Sequence, residues 1–343
     1  MTKKKIAIIC GGPSSEHEVS ALSGAGVLSG IDKNAFEPIL IGITKSGQWV
    51  LLPTDYPLEI VKGVMPTIEL TQNRVELTKK GFLLNGAKMH VDCVFTVLHG
   101  EFGEDGQVQQ LLEDSGIAYV GSGVEASAQA MDKSIAKAIF EKSGLTIAPG
   151  VEVTELNWKE MTQGLTYPVF VKPSSGGSSR GTHKVKEANS LEEAINDALT
   201  YDDKVLIEQA IQGREIECAV LERDGVVQAS VVGEIIVNPA FEFYDFQAKY
   251  LDSATTAQIP AQISQSDSIK IQNQAKQAFI ALGCNDLARC DFFYTQQGEI
   301  IINEINTMPG FTGTSVYPKL WAASGLEYTE LISVLINSSL KDQ

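Results

Sequence analysis

The sequence predicts an α/β protein in which residues 1–122 form a parallel sheet with helices, followed by two α+β units. Short, continuous apolar runs such as residues 5–10 and 91–100 alternate with helical segments, which is typical of buried parallel strands. Further along, apolar runs follow one another through tight turns, which indicates antiparallel strands. With 343 residues, the chain is long enough for two or three domains.

In the first unit, each apolar strand leads into a helix. The strand at residues 5–10 is followed by Ser15 and Glu18, which match a capping box and predict that a helix begins there. The strand at residues 91–100 is followed by a helix at 106–116. Parallel strands need such crossover connections, so the pattern favours a parallel sheet.

The second unit, residues 123–209, and the third unit, residues 210–343, combine helices with antiparallel strands. In the third unit, a meander turns at Asp224–Gly225, and a helix with an apolar stripe ends at Gly283. The second unit is predicted to contain helices at 131–144 and 190–201 and strands at 167–173 and 204–210.

Composition excludes several classes of protein. Hydrophobic residues make up 43% and charged residues 20% of the chain, as in ordinary globular proteins. The net charge of −16 argues against a surface for nucleic acid or an anionic membrane. The five cysteines form no CxxC pair, which suits reduced thiols, and no apolar run approaches the roughly 18 residues of a membrane span. We therefore expect a cytoplasmic protein that binds neither nucleic acid nor membranes.

The last predicted hairpin carries acids inside otherwise apolar strands, at residues 287–295 and 300–306. A two-residue loop at 297–298 or a four-residue loop at 296–299 would place Asp291 directly opposite Glu304, and Arg289 opposite Asn306. Side chains alternate between the two faces of a strand, so one face collects several polar groups. The residues on this face are Arg289, Asp291, Glu304 and Asn306.

A divalent cation would explain the facing acids of this hairpin. Like charges opposite each other destabilise a sheet, and burial increases the cost. Carboxylate and amide oxygens are the hard ligands that suit Mg²⁺, which takes its remaining ligands from water and phosphates. The alternative is a strand face that is simply exposed to solvent.

A second candidate site is the glycine- and serine-rich segment KPSSGGSSRG, residues 172–181, which follows an apolar strand. Its backbone N–H groups and hydroxyls could converge on phosphate oxygens, although the GK[ST] ending of a Walker A motif is missing. A flexible linker is the alternative. Lys172 is a candidate phosphate ligand or, alternatively, a surface lysine.

Three further segments could contact a ligand. Glu16 lies at a strand-to-helix turn, where its charge suits an amino group better than a phosphate, and His99 follows another buried strand. The alternatives are that Glu16 belongs only to a helix-capping sequence and that His99 only completes the hydrogen bonds of a turn. The aromatic segment FYDFQAKY, residues 243–250, lies in a long loop that suits an active-site lid or a cover for the core.

Taken together and in order, these segments resemble the D-alanine–D-alanine ligase family of the ATP-grasp superfamily. The resemblance implies a Rossmann-like N-terminal domain followed by two α+β lobes that clamp ATP. It covers all three units and is carried by GGPSSEHEVS, HGEFGEDGQVQ, YVGSGVEASAQAMDK, VKPSSGGSSRG, VLIEQAIQGREIE, FYDFQAKY, ARCDFF and NEINTMPGFTGTSVYP.

The resemblance also implies an activity, in which ATP drives the joining of two D-alanines for peptidoglycan precursor synthesis. The first D-alanine would become an acyl phosphate, which the amine of the second would attack. A homodimer formed through the N-terminal unit is a further implication. The cofactors implied are two Mg²⁺ ions, which Mn²⁺ could replace, held by Asp291, Asn306 and a bridging Glu304.

For ATP, the resemblance implies contacts to the phosphates, the ribose and the adenine. The residues that correspond to the phosphate contacts are Lys133, Lys172 and Ser179. The residues that correspond to the adenine-binding hinge are Glu208, Gln209, Ala210 and Ile211. The ribose contact and the adenine-side wall correspond to Glu215 and Phe243.

For the first D-alanine, the resemblance implies contacts from Glu16, at the ammonium group, and from His99. Arg289 and the backbone N–H of Gly310 would stabilise the oxyanion, a role that requires donors aimed at the developing charge.

For the second substrate, Lys249 and Ser315 would hold the carboxylate. Glu16, Ser178 and Tyr250 match a hydrogen-bonded triad that fastens the long loop over the site. The loop would exclude water, which would otherwise hydrolyse an acyl phosphate.

Several alternative functions remain open at this stage. Relatives that add D-lactate or D-serine differ at positions occupied here by Tyr250 and Val316, which favours D-alanine. Another ATP-grasp ligase would share the metal site but not the EHEVS and AKY segments. An NAD oxidoreductase would need the GxGxxG motif that is missing, and a non-catalytic nucleotide-binding protein would not need the full set of chemical groups.

Overall fold

The computed structural model describes residues 3–177, 179–238, 240 and 255–341. The N-terminal sheet has the strand order β3-β2-β1-β7-β8, and its pairs are parallel except for β2 with β3. The predicted parallel α/β arrangement is therefore confirmed. The elements of this part are β1 (Lys4–Gly11), α1 (His17–Gly30), β2 (Phe36–Ile43), β3 (Trp49–Leu52), β4 (Val75–Thr78), β5 (Gly81–Leu84), β6 (Ala87–Lys88), β7 (Cys93–Thr96), α2 (Gln107–Ser115) and β8 (Ala118–Val120).

The predicted capping box at the start of α1 is wrong. The N-cap residue is Glu16, and its side chain makes no capping hydrogen bond. Glu18 does not reach back to the helix N-terminus, because its Oε1 accepts a hydrogen bond from Lys45 Nζ at 2.5 Å. Ser14 orders this turn instead, since its hydroxyl accepts from the Glu16 N–H at 3.2 Å and donates to the His99 carbonyl at 2.6 Å.

The central part of the chain forms an antiparallel sheet with the order β11-β10-β12-β9. One face packs on α6 around Val171, Ile195 and Ile207, while the opposite face carries Lys172 and Glu208. The elements are α3 (Val124–Met131), α4 (Lys133–Lys142), β9 (Gly150–Val153), α5 (Trp158–Met161), β10 (Val169–Pro173), β11 (His183–Val185), a 3-10 turn (Ala188–Ser190), α6 (Leu191–Ala198) and β12 (Val205–Gln209).

The C-terminal part forms a second antiparallel sheet, with the order β15-β14-β13-β16-β17. The predicted turn at Asp224–Gly225 is confirmed, and both residues have positive φ angles. The predicted apolar stripe of α7 is buried, with Gly283 just beyond the helix. The elements are β13 (Gly213–Arg223), β14 (Val226–Ile236), β15 (Thr256–Gln258), α7 (Gln265–Ala281), β16 (Leu287–Thr295), β17 (Ile300–Asn306), α8 (Val316–Ala323) and α9 (Tyr328–Lys341).

The hydrophobic cores join parts of the chain that are distant in sequence. The side chains of α9, such as Leu331 and Leu335, pack in one cluster with Ile8 and Phe95 of the N-terminal sheet. Phe140 of α4 packs with the C-terminal sheet rather than with the central one. The divisions near residues 122 and 209 stay a prediction, because these clusters extend across them. Among the described residues, no helix is long and apolar enough to cross a membrane.

Candidate active site

A cavity of about 800 Å³ lies where the three parts of the chain meet. The N-terminal part contributes Glu16 and His99. The central part contributes Lys133, Lys172, Ser179, Glu208 and Gln209, and Ala210 and Ile211 follow at the start of the C-terminal part. The C-terminal part contributes Glu215, Arg289, Asp291, Glu304, Asn306, Gly310 and Ser315. Four predicted site residues, Ser178, Phe243, Lys249 and Tyr250, lie outside the described residues.

The hairpin β16–β17 forms the wall that carries the predicted metal ligands. Asp291 lies opposite Glu304, and Arg289 lies opposite Asn306, so the predicted pairing of these residues is confirmed. A register shift follows directly after Asp291, where Phe292 pairs with Ile302 and leaves one extra residue in β17. Bulges of this kind often occur beside active sites, where they redirect side chains.

The loop of this hairpin is neither of the two predicted. Thr295 N donates to Glu299 O, and Gly298 N donates to Thr295 O, each at 3.0 Å, so the loop contains residues 296–298. Gly298 has φ +81°, a conformation that favours glycine. The longer loop and the bulge shift the pairing in opposite senses, which is why the acids still face each other.

Arg289 bridges acids on neighbouring strands. Its Nε and one terminal nitrogen donate to the two carboxylate oxygens of Asp291, both at 2.7 Å. The same Nε lies 3.2 Å from Oε2 of the buried Glu217 on β13. The guanidinium therefore sits at the cavity wall within a group of carboxylates that fixes its plane.

The donor set of Asp291, Glu304 and Asn306 fits magnesium. Asn306 Nδ2 donates to Asp291 Oδ2 at 3.1 Å, which leaves the amide oxygen as a possible ligand. A carboxylate has about four acceptor sites, so Asp291 can accept from Arg289 and still bind a cation. The described residues contain no group of three or more His, Cys, Asp and Glu side chains that could hold a metal, so the predicted site relies on two carboxylates and one amide. Two carboxylates and an amide oxygen suit Mg²⁺ whose remaining ligands are water and nucleotide phosphates.

Two lysines and one glutamate form a row of alternating charges at the central wall of the cavity and behind it. The ammonium groups of Lys172 and Lys137 form ion pairs with different oxygens of Glu208. Burial alone would raise the pKa of Glu208, but the two lysines outweigh this effect and keep the pKa below its ordinary value. Burial lowers the pKa of Lys137, against the effect of Glu208. Only Lys172 and Glu208 of this group border the cavity.

The glycine-rich segment is anchored at its base by Asp132. The Asp132 carboxylate caps α4 by accepting from Ser134 N and Ile135 N, and it also accepts from the Ser174 hydroxyl at 2.7 Å. Lys204 forms an ion pair with the same carboxylate. Lys133, the next residue, donates from Nζ to Gly176 O at 2.6 Å. Lys133 is thereby held beside the segment to which the resemblance assigns phosphate binding.

Glu16 is enclosed by two glycines. A Cβ atom at Gly100 would lie 2.7 Å from Glu16 Oε2, and one at Gly177 would lie 2.5 Å from the same oxygen. A side chain at either position would force the Glu16 carboxylate to move. The carboxylate consequently lies between the turn after β7 and the glycine-rich segment.

His99 lies in the cavity wall, but both of its ring nitrogens already have protein partners. Nδ1 is 3.1 Å from the Met308 carbonyl, and Nε2 is 2.9 Å from the Ser23 hydroxyl. Since a carbonyl can only accept, Nδ1 carries the proton. Burial lowers the pKa of His99, so the ring is neutral at physiological pH. This arrangement favours a positioning role over proton transfer.

Gly310 and Ser315 lie close together at the N-terminal end of α8. Ser315 Oγ accepts from Thr312 N at 3.0 Å and lies 2.8 Å from Thr312 Oγ1. Phe311, next to Gly310, contacts Phe95 of β7 with 5.3 Å between ring centroids. The segment is thus fastened to the N-terminal sheet, and it borders the cavity beside His99, whose Nδ1 contacts the Met308 carbonyl.

Glu104 was not predicted, although it also borders the cavity. Its Oε2 accepts from Gly100 N at 2.7 Å. Burial, reinforced by the charge of Glu16, raises the pKa of Glu104 to about 8. Lys137, Asp132 and Glu217 were missed as well. For Lys137 the sequence held a signal, because it lies one turn after Lys133 on the stripe that continues to the buried Phe140.

We expect Glu104→Gln to change how stability depends on pH. Between about pH 5 and 8, folded Glu104 keeps a proton that the unfolded chain releases, so the wild type loses stability as the pH rises. Glutamine does not titrate, so the variant does not lose stability in this way as the pH rises. Its melting temperature relative to wild type should therefore increase from pH 5 to pH 8, as measured by differential scanning calorimetry. A difference that stays constant over this range would contradict the expectation.

The fold and the cavity define an ATP-grasp enzyme. Two lobes built on antiparallel sheets and a parallel α/β domain together line one site. Sequence models for the D-ala D-ala ligase N-terminus and C-terminus match residues 5–122 and 139–337. The chain therefore belongs to the D-alanine–D-alanine ligase family.

Individual relatives agree with this membership. D-alanine–D-alanine ligases of Pseudarthrobacter chlorophenolicus and Ruminiclostridium cellulolyticum are 45% and 46% identical over 98% of this chain, covering 94% and 95% of their own lengths. The VanG D-Ala:D-Ser ligase structure from Enterococcus faecalis has a TM-score of 0.86 and 36% identity, with 98% of this chain and all of that chain covered. The D-alanine–D-alanine ligase structure from Coxiella burnetii has a TM-score of 0.86 and 32% identity, with 100% and 95% covered.

Proposed function

We propose that this protein joins two D-alanine molecules to D-alanyl-D-alanine at the expense of ATP, as a step in peptidoglycan precursor synthesis. The observation that carries the proposal is that one cavity collects every described residue to which the resemblance assigns a role. A carboxylate oxygen of the first D-alanine attacks the γ-phosphorus, and ADP leaves. The amine of the second D-alanine attacks the resulting acyl phosphate, and phosphate leaves.

For ATP, Lys133 and Lys172 neutralise the phosphates, and Ser179 in the glycine-rich segment adds a donor. The hinge that begins at Glu208 receives the adenine, while Glu215 binds the ribose. Mg²⁺ held by the hairpin would offset the phosphate charge and steady the transferred group.

For the substrates, Glu16 pairs with the ammonium group of the first D-alanine. Arg289 and the Gly310 N–H donate hydrogen bonds to the oxygen that becomes negative in the tetrahedral intermediate. Ser315 receives the carboxylate of the second D-alanine, together with Lys249. His99 orients the wall beside Glu16, because its ring is fixed by Ser23 and Met308.

We expect the purified protein to release phosphate from ATP and Mg²⁺ only when D-alanine is present. A coupled phosphate assay, with D-alanine, D-serine and D-lactate in separate and competing reactions across pH, would measure the rates and products. D-alanyl-D-alanine should be the main product at neutral pH. Equal turnover with L-alanine, or no turnover with any D-substrate, would refute the proposal.

We place this reaction in the cytoplasm, where ATP is made and where the five buried free cysteines would stay reduced. A homodimer through the N-terminal unit is part of the same proposal. Sedimentation equilibrium of the purified chain would reveal the oligomeric state.

A further inference from the structure

A lysine behind the nucleotide wall has no role in the proposed reaction. Lys137 projects from α4, one turn after Lys133, and only 4% of the residue is exposed. Its ammonium group forms an ion pair with Glu208 Oε1, while Lys172 occupies Oε2. Within the described residues, neither Lys137 Nζ nor Glu208 Oε1 has a regular hydrogen bond beyond this ion pair.

The two lysines differ in their access to the cavity. Lys172 lies on β10 and borders the cavity, whereas Lys137 lies behind Glu208 and does not border it. The side chain of Lys172 is 12% exposed, and that of Lys137 is 5% exposed. Lys172 can therefore turn toward a bound phosphate, but Lys137 cannot.

The presence of two cations on one carboxylate has a physical consequence. Removing the only cation from a buried carboxylate strongly destabilises the folded protein, because the buried charge is left without a counter-ion. If Lys172 were the sole partner of Glu208, its movement to a phosphate would leave a buried charge unpaired. With Lys137 in place, Glu208 keeps a partner whichever way Lys172 points.

We propose that Lys137 is a positioning residue for nucleotide binding, acting as a permanent counter-ion of Glu208 that leaves Lys172 available to the phosphates of ATP. The inference rests on the proposed function, since it requires that the cavity bind ATP. It assigns Lys137 no contact with nucleotide or substrate. Its effect reaches the nucleotide only through Glu208 and Lys172.

The test is calorimetric titration of Mg-ADP into Lys137→Met, whose side chain has a similar length without the charge. We expect the dissociation constant to rise at least about tenfold. KM for ATP should rise in parallel, while KM for D-alanine and kcat change much less. Lys142→Met, which removes an exposed charge from the end of the same helix, should bind Mg-ADP like the wild type.

A second pair of variants separates this role from a structural one. In a Glu208→Gln background the carboxylate is gone, so adding Lys137→Met should change the Mg-ADP dissociation constant by less than about threefold. This pair also decides the question if Lys137→Met alone does not fold. The double variant buries no unpaired charge, and in Glu208→Gln the Lys137 ammonium can lose its proton, because burial lowers its pKa and the carboxylate that opposes this effect is gone. A tenfold further loss in the double variant would overturn the inference.

The wild-type protein distinguishes failure of the inference from failure of the proposed function. If wild type binds Mg-ADP and Lys137→Met binds it within twofold, only the role of Lys137 is refuted. If wild type neither binds Mg-ADP nor releases phosphate from ATP with D-alanine, the proposed function fails and the inference fails with it.

Discussion

Glu304→Gln is expected to lower turnover by at least about a hundredfold without unfolding the protein. Glu304 faces Asp291 across the β16–β17 hairpin, and the proposed reaction needs its charge to hold Mg²⁺ against the phosphates. Glutamine preserves the shape of the side chain and relieves the repulsion from Asp291. Phosphate release at saturating ATP, Mg²⁺ and D-alanine would measure turnover, and calorimetry would measure the melting temperature.

The matched control for this variant lies on the same hairpin. Glu299 is exposed beside the turn, where its backbone rather than its side chain orders the loop. Glu299→Gln should keep wild-type turnover. If Glu304→Gln also keeps turnover at any Mg²⁺ concentration, the hairpin is not the metal site.

Arg289→Met is expected to have two separable effects. It removes a donor to the oxyanion, which should lower kcat about 10²- to 10³-fold. It also removes the cation between Asp291 and the buried Glu217, and breaking such a pair costs roughly 3–5 kcal/mol. The melting temperature should therefore fall together with turnover.

The double variant Glu217→Gln/Arg289→Met tells the two effects apart. Removing the charge of Glu217 lowers the excess of negative charge left beside Asp291, so the melting temperature should recover in part. Turnover should stay low, because the donor is still missing. Recovery of turnover along with stability would show that Arg289 acts only in folding.

The sequence predicts those features that depend on local periodicity. Alternation places Arg289 with Asp291 on β16 and Glu304 with Asn306 on β17. Whether the two pairs share one face depends also on the pairing register, which agrees with the prediction because the bulge offsets the longer loop. The apolar stripe of α7 and the Asp224–Gly225 turn likewise determine their elements.

Features that depend on distant contacts were missed. The predicted length of the hairpin loop is wrong by one residue. A bulge in β17, which no local pattern indicates, compensates for that difference. Lys137 meets Glu208, and Arg289 meets Glu217, only when separate strands and helices pack. The capping box predicted at Ser15 does not form for a similar reason. Lys45, in the connection between β2 and β3, forms an ion pair with the Glu18 carboxylate.

The packing of α9 against the N-terminal sheet has a consequence for biosynthesis. Ile8 and Phe95 share a hydrophobic cluster with Leu331 and Leu335, so this face of the N-terminal sheet stays incomplete until α9 has been synthesised. During most of translation this surface is therefore exposed, which makes the nascent chain a natural client for chaperones. A stop codon before α9 would leave this part of the N-terminal sheet uncovered, so such a truncation is expected to destabilise strands that are distant from it in sequence.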